Sequence, residues 1–182
     1  MRTALKGRSK RMKTLKRYIS LFSLVILSVA AGYAQTTLTA LDGTRVNVEA
    51  QKGKVVVLAI GASWLPLSGK QADYVNAVAK KYQGRDVVVY FVATDSTNPK
   101  SKNFASDDAI KSFASTNKLA VPVLRDSDGA TTFPKYKVDQ VPSFVILDKN
   151  GVEAGPPLGG IDMDTKGDQT LRIFKVIDRL LV

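Results

Sequence analysis

Two stretches of the chain are apolar at nearly every position: Lys54 to Gly61 (KVVVLAIG) and Asp86 to Ala93 (DVVVYFVA). A strand buried on one face alternates apolar and polar residues, so unbroken runs of this length predict strands covered on both faces. Between them the period changes. Ala72, Val75, Val78, Ala79 and Tyr82 recur every three or four residues, with Lys70, Lys80 and Lys81 on the other side. That spacing predicts an amphipathic helix from Ser68 to Tyr82, closed by Gly84.

The same logic extends in both directions. Upstream, Leu38 to Leu41 and Arg45 to Val48 flank Asp42-Gly43 as a hairpin. Downstream, a polar loop from Thr94 to Ala105 leads to Ser106-Asp107-Asp108, which caps a helix through Thr116 with Ile110 and Phe113 inward. Val121 to Leu124 is a short strand, Asp126 to Gly129 a turn, and Thr131 to Tyr136 a short helix. Val141 to Leu147 is then expected to form a strand, with a turn at Asn150-Gly151 and a returning strand from Val152 to Leu158. Asp168 is expected to cap a last helix, Gln169 to Leu181, that buries Leu171, Phe174, Ile177 and Leu180. Parallel strands come first and an antiparallel hairpin second, which gives an α/β fold with a mixed central sheet and helices on both faces.

Residues 1–34 read differently. They hold eight of the 27 basic residues and no acid, so most of the net charge of +11 lies there and the rest of the chain carries +3. The basic run precedes a short apolar stretch, Ile19 to Val29, and then small residues ending in Gly32-Tyr33-Ala34. A charged region, an apolar core shorter than the roughly 20 residues of a membrane span and small residues at the exit form a secretory signal, with cleavage expected after Ala34. Met12 opens a signal of more ordinary length and is a second candidate start. The alternative is an uncleaved N-terminal anchor. Both readings place the domain, residues 35–182, outside the cytoplasm, in the periplasm or secreted.

Composition then removes whole classes of chemistry. The chain has no cysteine and no histidine. Thiol nucleophiles, disulfides, structural zinc and every Ser-His or Cys-His relay therefore have no residue to run on. No glycine-rich phosphate loop is present, and no basic stripe survives removal of the first 34 residues, which argues against a nucleic-acid partner. Asp162-Met163-Asp164-Thr165-Lys166-Gly167-Asp168 has acids at the first and third positions of a calcium loop, but Lys166 stands at the fifth and Ile173 at the twelfth. It is read as a helix-capping loop, and Asp126 and Asp128 as turn formers, so neither a metal nor a cofactor is expected.

Three separated motifs carry a family resemblance. Gly61-Ala62-Ser63-Trp64-Leu65-Pro66-Leu67-Ser68 resembles the active-site turn of thioredoxin-like redoxins of the TlpA and AhpC/TSA type, where the pattern is Ala-Ser-Trp-Cys-Pro-x-Cys. Pro122-Val123-Leu124-Arg125-Asp126 is similar to that family's Pro-Val-Leu-x-Asp segment, and Val141-Pro142-Ser143-Phe144 onward to its cis-proline strand and hairpin. The similarity runs from about residue 36 to 181. It implies a thioredoxin-like three-layer sandwich with an N-terminal β-hairpin extension, a cis bond at Val141-Pro142, and a shallow groove between the turn and the proline loop.

On that alignment the nucleophilic cysteine falls on Leu65 and the resolving cysteine on Ser68, while Trp64, Pro66 and Pro142 stand as in the family. A redoxin works because a helix N-terminus stabilises a thiolate, and leucine has no ionisable atom there. Ser68 is expected to serve as a helix N-cap. The degenerate pair leaves no catalytic residue, and the expected role is a non-catalytic module whose groove, formed by Trp64, Leu65, Pro66, Val141 and Pro142, holds a protein or extended peptide of the cell envelope by strand addition. Three alternatives stay open: that Trp64 and Leu65 merely close the core, a thiol-disulfide oxidoreductase or peroxidase-family subunit that works only beside a thiol-bearing partner, and a structural envelope component.

Overall fold

The computed structural model describes residues 35–160 and 169–182, and residues 35–182 form one compact unit. The expected signal segment, the calcium-like loop at 162–168 and the Asp168 cap lie outside the described residues.

Six strands form one sheet. In chain order they are β1 (Thr37–Ala40), β2 (Arg45–Asn47), β3 (Val55–Gly61), β4 (Val87–Ala93), β5 (Val123–Arg125) and β6 (Ser143–Leu147), and their order across the sheet is β2-β1-β5-β4-β3-β6. The two apolar runs are β3 and β4, parallel from Val55↔Val87 to Gly61↔Ala93. β5 is parallel to β4, whereas β6 is antiparallel to β3 and the N-terminal hairpin adds antiparallel to β5. Every residue of β3 is buried, as its lack of alternation requires.

The helices are α1 (Pro66–Lys81), α2 (Asp107–Thr116), α3 (Thr132–Tyr136) and α4 (Gln169–Leu180). They divide unequally between the two faces. Val75 and Val78 of α1, Ile110 of α2, and Ile173 and Ile177 of α4 share one core with Val55, Val57 and Ala59 of β3. The opposite core, around Val56, Leu58 and Ile60, is closed by Tyr136 of the five-residue α3 together with Val138 and Val48.

Several boundaries differ from the sequence expectation for local reasons. α1 begins at Pro66, since proline lacks the N–H that a first helical turn leaves unused and its φ is already helical. β6 begins only at Ser143, after a cis bond at Val141-Pro142. The expected strand from Val152 to Leu158 does run back beside β6, with Ala154 N–H donating to Ile146 and a reciprocal pair joining Phe144 and Leu158, but it forms isolated bridges and not a ladder. Pro156 and Pro157 have no N–H to continue one. In α4, Leu171 faces solvent at 63% exposure and Ile173 takes the core position expected of it.

Candidate functional site

β3 delivers the chain to the C-terminal edge of the sheet at Gly61. Ala62 to Leu65 then turn sharply, with Leu65 N–H donating to the Ala62 carbonyl at 3.1 Å, and α1 begins. The turn is fastened from β4. Asp95, fully buried just beyond that strand, accepts the Ser63 N–H on both oxygens at 3.0 Å and the Ser63 hydroxyl at 2.6 Å. Thr94 adds its N–H and hydroxyl to the Gly61 carbonyl, at 2.8 and 3.0 Å.

The tip of the turn is apolar and open. Trp64 is 50% exposed, Pro66 is exposed and Leu65 is half-buried. Because Ile60 pairs with Ser143, the next residues along, Gly61 and Pro142, meet at the same sheet edge. Val141 is half-buried there and Pro142 buried. The five positions expected to line a groove are thus gathered at one end of β3 and β6.

Ser68 is not the N-cap expected of it. Leu65 occupies the cap position with extended backbone, and no side chain caps the helix. Ser68 lies in the first turn of α1, fully buried, with its Oγ lacking any partner. One turn further on is Gln71, a residue that no motif in the sequence singled out. It is also fully buried, and its Nε2 donates to the Ile60 carbonyl at 3.2 Å and to the Ser143 carbonyl at 3.0 Å. Gln71 therefore pins the helix that carries the turn to the residue that follows the cis-proline. Its Oε1 is left without a partner. A methyl at Gly61 would fall 2.3 Å from that oxygen and 3.2 Å from Ser68 Oγ, so a larger residue there would require the Gln71 side chain to move. A buried polar residue one turn beyond Ser68, on a face otherwise made of Ala72, Val75 and Val78, is the signal by which Gln71 could have been found.

The first turn of α1 holds no acid, and Lys80 and Lys81 occupy its last turn. Its N-terminal partial positive charge points toward Leu65, and the nearest carboxylate shown is that of Asp95, held two residues earlier on Ser63. Ser68 has a hydroxyl whose deprotonation is far harder than a thiol's, and the chain has no histidine to receive the proton. Among the described residues no group of three His, Cys, Asp or Glu side chains is placed to hold a metal ion.

Beyond the proline loop lies a shallow groove of about 500 Å³, lined by Tyr136, Lys137, Asp139, Gln140 and Glu153 among others. Tyr136 is fixed from behind: its hydroxyl donates to Glu49 at 2.6 Å, and Glu49 also accepts the Thr36 N–H at 2.7 Å and the Thr36 hydroxyl at 2.8 Å. Burial pushes the Glu49 carboxyl up, but the bonds from Tyr136 and Thr36 outweigh it and hold its pKa below the usual carboxylate range. Burial and the neighbouring Glu49 raise the Tyr136 phenol.

The family model of the AhpC/TSA family matches residues 30–152. The chain belongs to the AhpC/TSA family. The thiol-disulfide oxidoreductase ResA of Bacillus thuringiensis is 27% identical over 132 residues, which make up 72% of this chain and 66% of ResA. The thioredoxin-like protein YneN of Bacillus subtilis is 28% identical over 116 residues, or 64% of this chain and 63% of YneN. The chain thus spans just under two thirds of the length of these curated relatives. Among solved structures, the pneumococcal exposed lipoprotein thioredoxin Etrx1 superposes with a TM-score of 0.63 at 25% identity, over 81% of this chain and 100% of that one. A secreted Mycobacterium tuberculosis disulfide oxidoreductase homologous to Escherichia coli DsbE gives 0.60 at 24%, over 80% and 96%. The fold is thioredoxin-like, as the three motifs implied. Those relatives are named for thiol chemistry, whereas in this member of the family Leu65 and Ser68 stand where the thiols belong.

Proposed function

We propose that this protein is an exported redoxin-family member that acts by binding, and that its groove at Trp64, Leu65, Pro66, Val141 and Pro142 holds an extended segment of an envelope protein. The observation that carries this is the combination of a well-built turn, fastened by Asp95 and Gln71, with a half-exposed tryptophan at its tip and no sulfur at either thiol position. A large aromatic ring left half in water on a rigid turn is the type of residue that anchors interfaces. The half-buried Val141 lies next to the buried Pro142 at the same edge, and on this reading the extended chain runs alongside it. Export is supported by the signal-like layout of residues 1–34, and no helix among the described residues is long and apolar enough to cross a membrane.

The relatives' names favour one second reading, a subunit that contributes its surface to a thiol-disulfide reaction while a partner supplies the thiols. Two measurements separate the readings. Purified protein should give no turnover in an insulin-disulfide or peroxide assay; turnover by the chain alone would overturn the binding role. In cell-envelope extract, a partner held by the parent and lost by a folded Trp64→Ala/Leu65→Asp variant locates the function in the groove. A partner that proves to be a dithiol protein selects the subunit reading, and equal capture by both forms moves the site to another face.

A further inference from the structure

We infer that the mature N-terminus is a pyroglutamate formed from Gln35. The inference rests on the export reading above, with cleavage after Ala34, because only that cut gives Gln35 a free α-amine. The residue so exposed is glutamine, whose side-chain amide carbon lies within reach of its own amine to close a five-membered ring. The amine nitrogen attacks Cδ, the new C–N bond forms as the Cδ–Nε2 bond breaks, and the nitrogen leaves as ammonia with a proton from the amine. No oxidant, reductant or external group is needed. An α-amine titrates near pH 7.7 to 8.0, so at neutral pH a usable fraction is the unprotonated nucleophile.

The structure sets where this ring would sit and why the reaction is confined to one residue. Thr36 is 2% exposed, and Glu49 holds both its N–H and its hydroxyl, at 2.7 and 2.8 Å, so the backbone is fastened from residue 36 onward. Thr37 then enters β1. Gln35 is exposed, and its side chain has one described partner, Asn47, whose Nδ2 donates to Oε1. The lactam keeps a carbonyl oxygen that can accept from Asn47. Because Glu49 is already satisfied by Thr36 and Tyr136, losing the positive charge of the amine leaves no buried carboxylate unpaired. The ring closes the open end of β1 with a group that has no amine for an aminopeptidase to recognise.

The test is the intact mass and N-terminal peptide spectrum of the full 182-residue chain, expressed with its leader in an exporting bacterium and recovered from outside the cytoplasm. The expected product is residues 35–182 lighter by one ammonia, blocked to Edman degradation and unblocked by pyroglutamyl aminopeptidase. A Gln35→Ala variant cut at the same bond should carry a free amine at its full calculated mass. Residues 35–182 with an unmodified glutamine would overturn the inference while leaving export intact. An uncut chain, or one cut at another bond, would overturn the inference together with the cleavage after Ala34 on which it rests, and a chain retained in the cytoplasm would overturn the export reading itself.

Discussion

Two buried polar clusters in this domain are built on opposite terms. Around Glu49, each side-chain oxygen of Glu49, Thr36 and Tyr136 has a partner, with the Lys135 ammonium 3.9 Å away. Beneath the Trp64 turn, Ser68 Oγ and Gln71 Oε1 have none, although both residues are fully buried. A buried polar group with its bonds made contributes modestly to stability, whereas one without them carries the desolvation cost unrelieved. The first cluster is what folding alone would select. The second lies under the turn proposed as the binding site, the kind of location where unfavourable local arrangements are kept for function.

The comparison is sharpest at Glu49. Glu49→Leu should strand the Thr36 and Tyr136 donors in the core and cost about 3 kcal/mol, read as a lower urea midpoint at unchanged slope. Capture by the Trp64 groove should persist in the fraction still folded. The pH dependence has a definite sign. The carboxyl's folded pKa lies below its unfolded value, so its contribution is complete above the unfolded pKa of about 4.3 and is lost as pH falls through the folded one. The stability gap between parent and Glu49→Gln should therefore narrow on acidification from pH 7. A gap independent of pH would show that the cluster is not held by charge.

Gln71 should have a smaller effect on stability and a larger one on the site. Gln71→Leu removes both bonds to Ile60 and Ser143, at about 2 kcal/mol, and frees α1 from the proline loop. Since Trp64 is the single tryptophan, its fluorescence reports this movement directly. A changed emission together with weakened capture is expected; unchanged emission and capture would reduce Gln71 to a core residue. Gln71→Glu should behave oppositely to Glu49. A carboxylate facing two carbonyl oxygens has its pKa raised, so that variant should gain stability as pH falls, when protonation restores one donor.

The parts of this architecture visible in the chain are those with a local signature. Unbroken apolar runs marked β3 and β4, helical periodicity marked α1, and Trp64-Leu65-Pro66 with Val141-Pro142 marked the turn and the proline loop. What was hidden depends on distant partners. Glu49 and Tyr136 are 87 positions apart, Gln71 and Ser143 are 72, and Ser63 and Asp95 are 32, and no periodicity links such pairs. The apolar spacing points Leu171 inward because it continues a plausible face, whereas Ile173 and Ile177 lie on the face that the sheet covers. For the start of α1 the local signal was present, since Pro66 competes with Ser68 as the opening residue and proline is the stronger marker of a first turn.

The smallest effect separates the clusters most cleanly, because it concerns single oxygens. Thr36→Val deletes a satisfied hydroxyl and should cost about 1 kcal/mol. Ser68→Ala deletes an orphaned one and should be neutral or stabilising by up to about 1 kcal/mol, since no bond is lost and one buried dipole is removed. Paired thermal melts give the two signs side by side. If Ser68→Ala destabilises as Thr36→Val does, Ser68 Oγ has a partner and the contrast fails at its base. If it stabilises, serine is held at position 68 against its own cost. The Leu65→Cys/Ser68→Cys variant then shows what the location is suited to: two thiols there should close into a disulfide that dithiothreitol opens, and thiols that stay apart would mean that the turn at Trp64 does not hold the spacing on which the family's chemistry depends.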